Sequence, residues 1–510
     1  MAFNRREFIK TGGLMLGTLA VPSLTDAMTT ATARVHSATM SLAMDHFGVT
    51  DNQLQQTLSA ALEKGADYAD LFFEHTFTNS LTLQDGTVNR ASSNIDFGMG
   101  VRVVAGDQTG YAYIENITPE EMLKAARTAA RIANATGVKT PVALTDIDIH
   151  NSFYKVKTAW EEVAVNEKMP YLQKINDRMF AADKRITKVS AWFSDSTSHI
   201  MFCNSEGQHY YDYRPMANIG AQCIMIDNGR TESNSSSRSL RTGAEFLTDE
   251  LIDAITAEAV EKTSILFDAV KPKGGEMPVV MGAGGSGILL HEAIGHAFEA
   301  DFNRKNTSIF SDKLNRTVCN KNINIVDDGT IPFNRGAINI DDEGNRGDKT
   351  YIVREGVLTS YLHDRISARH YGVAPTGNGR RESFRNLPIP RMRATYMEAG
   401  NYSEEEIIAA VKNGVYVQNF TNGQVQIGAG DFTFFVKNGY LIENGKLTQP
   451  IKDINIIGNG PKALADITMT GSNFKMDESS WTCGKDGQSC PVTLGMPSAL
   501  VGKLTVGGES

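Results

Sequence analysis

The chain has 510 residues, of which 41% are hydrophobic and 21% are charged, so it is long enough for two or three domains with buried cores. Its formal net charge of -9, without a block of lysines and arginines, argues against a nucleic-acid surface, and we expect no nucleic-acid partner. The five cysteines are too few and too scattered to form a disulfide scaffold.

The N-terminal residues have the composition of an export signal. Arg5 and Arg6 precede a weakly apolar run, Thr11–Leu24, and Ala31–Ala33 supplies an A-x-A cleavage site. A general secretory signal is the alternative, but the adjacent arginines and the mild apolar run favour a twin-arginine-type signal, which exports folded proteins. We therefore expect residues 1–33 to be removed and the mature protein to be soluble and periplasmic. No other apolar run approaches the length of a membrane span.

The first half of the mature chain alternates predicted helices with predicted hairpins. One helix is expected after Asp51, and Thr118-Pro119 supplies the capping residue and the first-turn proline of a second. Further segments are strand-like at residues 71–83, 99–114, 189–213 and 219–227, and helical from Asp249 to about Thr263. A linker at Lys271–Gly275 ends this part of the chain, so we expect an N-terminal α+β domain over residues 45–268.

The second half is rich in turns and strands. Its two predicted helices lie at about Ile288–Glu299 and Ser403–Lys412. We expect a strand-rich C-terminal domain over residues 276–510 that carries a metal-binding helix. The fold class of the whole chain is therefore α+β.

A glycine-rich turn precedes the first of these helices. Gly282, Gly284 and Gly287 match the pattern G-x-G-x-x-G, which is typical of a dinucleotide-binding turn. That interpretation also needs a second buried strand ending in an acidic residue about 20 positions later, and the sequence there has none. The glycines are better explained by a sharp turn and close packing beneath the helix, so we predict no bound dinucleotide.

The helix itself carries His291, Glu292 and His296. Two histidines five positions apart lie about 140° apart around a regular α-helix, so they share one metal ion only if the helix is distorted. Gly295 permits a π-bulge or an early helix end at this point. Two buried, hydrogen-bonded structural histidines are the alternative. A metal would need at least one more ligand, and the nearest helical candidate is Glu299.

Five motifs resemble those of one known family. They are His291–His296, Glu299–Arg304, Asp341–Gly344, Pro375–Ser383 and Cys483–Ser489. In this order they are similar to the TldD/PmbA family of metalloproteases, on the TldD side. The resemblance covers nearly all of the second domain and, more loosely, the first from about Asp45.

The resemblance implies a zinc peptidase. Its metal ligands would be His291, His296 and Cys483, with Glu292 as the catalytic base and Glu299 supporting a ligand instead of binding the metal. Such a site has three protein ligands and an open position for water, as catalytic zinc sites do. No other cofactor is implied.

The family resemblance also implies substrates and partners. Members act on peptides or unfolded protein segments inside a closed two-subunit shell, so we expect a homodimer or a heterodimer with a PmbA-like paralogue. The export signal departs from the family pattern and favours an extracytoplasmic peptide as the substrate. Two alternatives remain open: a metal-dependent amidase with the same ligands, and a non-catalytic PmbA-like binding subunit, against which the intact metal motif argues.

Three other side chains near these motifs have open roles. His363 and Tyr361 could assist the developing oxyanion, although a structural role is the simpler prediction. Cys490 lies seven positions after Cys483, close enough for a disulfide in an oxidising compartment, which would deprive zinc of its thiolate. We instead predict that Cys490 is a small buried residue beside Pro491.

Overall fold

The structure is a computed structural model that describes residues 39–147, 149 and 152–508; the predicted signal peptide lies outside these residues. The strands of the N-terminal half are Tyr68–Gln84 (β1), Thr87–Ala105 (β2), Gln108–Ile114 (β3), Thr145–Asp146 (β4), Ile186–Asn204 (β5), Gln208–Asp227 (β6) and Arg230–Leu240 (β7). In the described part of the chain these seven strands form one sheet, ordered β3-β2-β1-β5-β6-β4, with β7 paired to β6. The two groups of hairpins therefore share a single sheet, because β1 pairs with both β2 and β5.

Helices cover this sheet. Besides a helical segment at residues 39–47, they are Asp51–Ala61 (α1), Pro119–Ala133 (α2), Val165–Ala182 (α3) and Asp249–Ser264 (α4). Apolar side chains of α1 and α2 pack against β1 and β2, and those of α3 and α4 pack against β5 and β6.

The predicted helix starts are confirmed by their caps. Thr118 accepts a hydrogen bond from the backbone N–H of Glu121, and Thr50 accepts one from Gln53, so each threonine satisfies a donor in the first helical turn. The stretch 189–213, predicted as continuously strand-like, instead contains a turn that separates β5 from β6. Gly207 adopts a φ of 89° in this turn, which glycine does readily.

The C-terminal half contains two larger sheets and two small hairpins. Its strands are Gly275–Met281 (β8), Ile325–Asp328 (β9), Lys349–Arg354 (β10), Val357–Leu358 (β11), Gly379–Arg380 (β12), Ile389–Pro390 (β13), Ala394–Met397 (β14), Asn413–Gln426 (β15), Asp431–Glu443 (β16), Lys446–Asn459 (β17), Ile467–Thr470 (β18), Lys475–Asp477 (β19), Thr482–Lys485 (β20), Gln488–Pro491 (β21), Thr493–Met496 (β22) and Ala499–Gly507 (β23). One sheet has the order β17-β16-β15-β8-β23-β18, and an additional pairing of β17 with β23 closes it into a barrel. The other sheet, β11-β10-β9-β14-β22-β19, packs beside the barrel.

The helices of this half are short. They comprise a 3-10 turn at Gly285–Gly287, a π-helix at Leu289–Gly295, a 3-10 turn at His296–Phe298, and the α-helices Ala300–Arg304 (α5), Arg365–Tyr371 (α6), Glu404–Ala409 (α7) and Gly460–Ala465 (α8). The two predicted helices are present, although α7 is shorter than predicted, and α5, α6 and α8 were not predicted. Helices packed on largely antiparallel sheets, in which only β4–β6, β8–β15 and β14–β22 pair in parallel among the described strands, confirm the α+β class.

Buried ion pairs join the two halves. The guanidinium of Arg102 on β2 contacts Asp70 of β1, with Nη2 2.5 Å from Oδ2, and also pairs with Glu343 of the C-terminal half. Arg214 on β6 reaches Asp342, with Nη1 2.6 Å from Oδ1. Removing one partner of a buried pair typically costs about 3–5 kcal/mol. The acidic motif Asp341–Gly344, which supplies Asp342 and Glu343, therefore fixes the N-terminal sheet against the domain that carries the candidate site.

The described residues include no helix that is both long and apolar enough to cross a membrane.

Candidate metal centre

The glycine-rich turn brings the candidate helix close to its neighbouring strand. Gly284 has a φ of 88°, in the left-handed region that glycine adopts without strain. A Cβ at Gly287 would lie 2.6 Å from the backbone nitrogen of Gly495 on β22, so only glycine allows this approach. The turn and the close packing are those that the sequence predicts.

The helix that follows is a π-helix, which confirms the predicted distortion. The backbone N–H of His296 donates to the carbonyl of His291, five residues earlier, in place of the usual bond to the fourth residue back. This wider turn brings the two imidazoles to the same side, with their ring centroids 5.1 Å apart.

Gly295 is required here for space. Its φ and ψ of -59° and -50° are ordinary helical values that any residue adopts. A Cβ at this position would lie 2.3 Å from Sδ of the buried Met392 and 2.9 Å from the carbonyl oxygen of Leu290. The absence of a side chain lets Met392 pack directly against the backbone that precedes His296.

A third candidate ligand reaches the pair from a distant part of the sequence. Cys483 lies on β20, in a hairpin with β21, and its Sγ is 3.2 Å from Nε2 of His296. Ligand atoms of His291, His296 and Cys483 all lie within 4.8 Å of one another, and all three residues are buried. The structure therefore brings together the three side chains that the resemblance implies as ligands.

The electrostatics of the group favour a thiolate. Burial raises the pKa of the Cys483 thiol, but His291 and His296, through charge and hydrogen bonds, outweigh it and lower that pKa to about 4. For His296, burial lowers the pKa, but Glu299 and Cys483 raise it well above its usual value. A thiolate is stable here because a protonated imidazole beside it carries the opposite charge.

This donor set fits a zinc ion. Two imidazole nitrogens and one thiolate are typical zinc ligands, and three protein ligands leave one position of a tetrahedral site open. Nδ1 of His291 is buried and has no hydrogen-bond partner among the residues that the structure describes. The group thus has the ligand types, the spacing and the burial that a catalytic metal site needs.

Glu299 lies behind His296. Its Oε2 is 3.0 Å from Nδ1 of His296, which leaves Nε2 facing Cys483. Burial raises the pKa of Glu299, but Lys485 and His296 outweigh it and lower that pKa to about 2, so the carboxylate is ionised. A carboxylate in this position fixes the tautomer and the orientation of a ligating imidazole.

Glu292 lies next to the histidine pair and is half-buried. Within the described part of the chain its carboxylate makes no hydrogen bond, whereas Oε2 of Glu299 contacts Nδ1 of His296. It faces the β15–β16 hairpin, since a Cβ at Gly423 would lie 3.4 Å from its Cγ. An unbonded carboxylate adjacent to the ligand group is free to exchange protons with a water molecule.

The hairpin opposite Glu292 leaves one strand edge open. Along one side β15 pairs with β16 from end to end, but on the other side it pairs with β8 only at Val415–Val417. Residues 418–426 therefore have no strand partner on that side among the described residues. Glu292 lies over the face of this strand at Gly423, within the segment whose edge is open.

The remaining candidates lie outside the ligand group. The Tyr361 hydroxyl donates to the carbonyl of Phe310 at 2.7 Å, which gives it a structural role. His363 is buried, and burial lowers the pKa of its ring to about 4. Neither residue belongs to the cluster of three ligand atoms.

Cys490 lies directly across the hairpin from Cys483. Both thiols are free, and Sγ of Cys490 is 3.4 Å from Nη1 of Arg391. The same guanidinium donates from Nη2 to the carbonyl of Cys483 at 2.5 Å. In this structure Cys490 is therefore a small buried residue, as predicted, and Arg391 holds the hairpin that presents Cys483.

Models of three domains of one known family match the chain. Residues 69–133 match PmbA/TldA metallopeptidase domain 1, residues 159–267 match the central domain and residues 274–508 match the C-terminal domain. The first two segments share the N-terminal sheet, and the third contains the candidate metal centre.

Curated relatives span nearly the whole chain. A Haemophilus influenzae protein named metalloprotease TldD homolog is 37% identical over 462 residues, covering 88% of this chain and 94% of that protein. A Buchnera aphidicola protein of the same name is 36% identical over 467 residues, with coverage of 90% and 96%. A Saccharolobus solfataricus protein named zinc metalloprotease TldD homolog is 28% identical, with coverage of 88% and 99%.

Solved structures share the fold. TldE from Thermococcus kodakarensis superposes with a TM-score of 0.69 at 19% identity, covering 87% of this chain and 97% of that one. A Thermotoga maritima protein superposes with a TM-score of 0.72 at 23% identity, with coverage of 86% and 96%. The relatives and the matching family models define the chain as a metallopeptidase. The chain belongs to the TldD/PmbA family of metallopeptidases, which confirms the family and the enzyme class that its motifs predict.

Proposed function

We propose that this protein is a zinc peptidase that hydrolyses peptide bonds in peptides or unfolded protein segments. His291, His296 and Cys483 would hold the zinc, and Glu292 would act as the general base. The observation that carries the proposal is the convergence of these three ligand atoms within 4.8 Å, beside a carboxylate that no described residue binds. The Saccharolobus solfataricus relative carries zinc in its name, which supports the choice of metal.

The chemistry that zinc supplies in such a site is Lewis-acid chemistry, which acidifies a water molecule and stabilises negative charge on the carbonyl oxygen of the substrate. Glu292 takes the proton of the attacking water and then donates it to the leaving amine. Glu299 keeps the Nε2 atom of His296 directed at the ligand group, and Arg391 holds the carbonyl of Cys483 and with it the position of the thiolate.

The open edge of β15 explains why the substrate would be an extended peptide. An exposed strand edge binds a chain through backbone hydrogen bonds, largely independently of its sequence. Residues 418–426 offer such an edge beside Glu292, so a peptide bound there would pass the catalytic carboxylate. A segment in a folded domain has its backbone groups already paired, which favours peptides and unfolded segments as substrates.

The test is a pair of measurements on three variants. Glu292→Gln should retain zinc and lose turnover by about 100- to 10,000-fold, the usual range for a general base. His291→Ala should lose zinc itself, whereas His363→Ala, outside the ligand group, should keep both zinc and activity. Full peptide hydrolysis by Glu292→Gln would remove Glu292 from the mechanism, and cleavage of other amides without cleavage of peptides would make the enzyme an amidase.

Assembly and export belong to the same proposal. We expect a dimer, with itself or with a PmbA-like paralogue, that acts on an extracytoplasmic peptide after export by a twin-arginine-type signal. Light scattering of the purified protein, alone and with the paralogue, tests whether it forms a dimer. A monomer that digests native proteins would contradict the proposed assembly.

Cell fractionation after replacing Arg5 and Arg6 by lysine tests the proposed export, which should then stop.

A further inference from the structure

Lys485 is a buried cation beside the metal centre that the mechanism above does not use. It lies on β20, two residues after Cys483, and is 7% exposed. Its Nζ is 2.7 Å from Oδ1 of Asp301, 3.1 Å from Oε2 of Glu299 and 3.0 Å from the carbonyl oxygen of Pro390. The ammonium group therefore makes two hydrogen bonds and, with Glu299, an ion pair.

These contacts connect the two elements that supply the ligands. Lys485 belongs to the hairpin that presents Cys483, whereas Glu299 directly follows the helical segment that presents His296. The same carboxylate oxygen, Oε2 of Glu299, faces both Nζ of Lys485 and Nδ1 of His296. A chain of contacts thus runs from the hairpin, through Glu299, to a ligand on the helix.

Glu299 has a second carboxylate oxygen that its contact with His296 does not use. The residue is fully buried, and this oxygen, Oε1, has no hydrogen-bond partner among the described residues. A carboxylate that rotated away from Nδ1 would leave the imidazole of His296 without the acceptor that fixes its orientation. The carboxylate therefore needs a second contact to remain the acceptor for His296.

We propose that Lys485 is the positioning residue that holds Glu299 against His296 and thereby fixes the orientation of this proposed ligand. The ammonium group contacts Oε2, the same oxygen that faces Nδ1 of His296. By binding Asp301 as well, it compensates two neighbouring buried carboxylates with one cation. The proposal rests on the proposed function, because it assumes a metal held by His291, His296 and Cys483.

The experiment is a double-mutant cycle on zinc affinity. Lys485→Met keeps an unbranched side chain, one atom shorter, and removes the charge. Glu299→Gln removes the carboxylate charge. Each variant and the double variant are titrated with zinc against a chelating competitor. We expect Lys485→Met to bind zinc about 10- to 100-fold more weakly, as when other partners of metal ligands are lost. Because Lys485 acts through Glu299, the double variant should be no weaker than the weaker single variant.

A spectroscopic readout separates this role from a loss of packing. In the cobalt-substituted protein, the visible absorption bands report the geometry of the ligands around the metal. Lys485→Met should shift these bands, the double variant should shift them no further than Glu299→Gln does, and Lys313→Met, which alters an exposed lysine, should match the wild type. If Lys485→Met does not fold, Lys485→Gln is measured in the same way.

Several outcomes would overturn the proposal. A wild-type spectrum and affinity in the folded Lys485 variant would show that the ammonium group positions nothing, and additive losses in the cycle would show that it does not act through Glu299. A wild-type protein that binds zinc but cleaves no peptide would remove the proposed function alone. A wild-type protein that binds no zinc would remove both.

Discussion

Replacing Gly295 by alanine tests whether space at the π-helix controls the metal centre. The added Cβ would lie 2.3 Å from Sδ of Met392 and 2.9 Å from the carbonyl oxygen of Leu290. Met392 is fully buried, so it has to move into occupied space, and the helix backbone before His296 must shift with it.

The loss of stability in Gly295→Ala is the balance between the cost of overpacking and a gain in backbone entropy. Overpacking of a well-packed core costs about 1–3 kcal/mol. Alanine gains about 0.5–1 kcal/mol over glycine at a helical position, because it loses less backbone entropy. From the middle of each range the net loss is about 1 kcal/mol, which for a domain of this size lowers Tm by about 2–4 °C.

Gly484→Ala is the matched control. Gly484 also adjoins a proposed ligand, Cys483, but a Cβ there would have no atom within 4 Å. Thermal unfolding and zinc titration of both variants form the assay. Gly295→Ala should melt lower and bind zinc at least about tenfold more weakly, whereas Gly484→Ala should match the wild type. Wild-type melting and zinc affinity in Gly295→Ala would refute the reasoning from space.

Two further predictions concern a thiol and a surface charge. Cys483→Ser should abolish zinc binding and peptide hydrolysis, because serine supplies no thiolate. Cys490→Ser should keep both. If zinc analysis shows the same loss of zinc in both variants, the proposed ligand set is wrong. Burial raises the pKa of Glu258, but Lys262 and Arg238 outweigh it and lower that pKa to about 2. Because this value is below that of the unfolded chain, the carboxylate stabilises the fold above about pH 4.5, and the effect is lost as the pH falls towards 2. Glu258→Gln should therefore lower the free energy of unfolding by about 1 kcal/mol at pH 7, allowing for the partial exposure of the side chain. Near pH 2 the variant and the wild type should be about equally stable. If urea titrations show the same difference in stability at both pH values, the prediction is wrong.

The distortion of the metal helix could be predicted because it follows from spacing. Histidines five residues apart cannot share a metal ion on a regular α-helix, and the π-helix at Leu289–Gly295 satisfies this requirement. The reason given for Gly295 was incomplete, since its dihedral angles are ordinary and its small size is what matters. The space around a residue depends on distant neighbours such as Met392, which the local sequence does not reveal.

Other features of the fold could not be predicted, because the local sequence carries no signal for them. Helix α3 was not predicted, because Ala164 supplies no side-chain cap and Pro170 lies inside the helix. The pairing of Arg102 with Glu343 joins residues 241 positions apart, and only the folded chain brings them together.

The role of Glu299 could not be decided from its spacing. A residue three positions after His296 is equally able to bind the same metal or to support the imidazole. The structure places its carboxylate at Nδ1, the nitrogen that faces away from Cys483, so it supports the ring. The sequence position of Cys483 could be assigned only through the family motif, since nothing in the spacing links it to the histidines.

The separation of the ligands along the chain has a consequence for biosynthesis. Cys483 follows His296 by 187 residues. A ribosome adds about 5–20 residues per second, so the histidines emerge about 10 to 40 seconds before the cysteine is available to join them. During that interval the nascent chain carries two of the three proposed ligands. A metal site that needs all three, and the hydrolysis that depends on it, would form only after Cys483 and the hairpin that presents it have been translated.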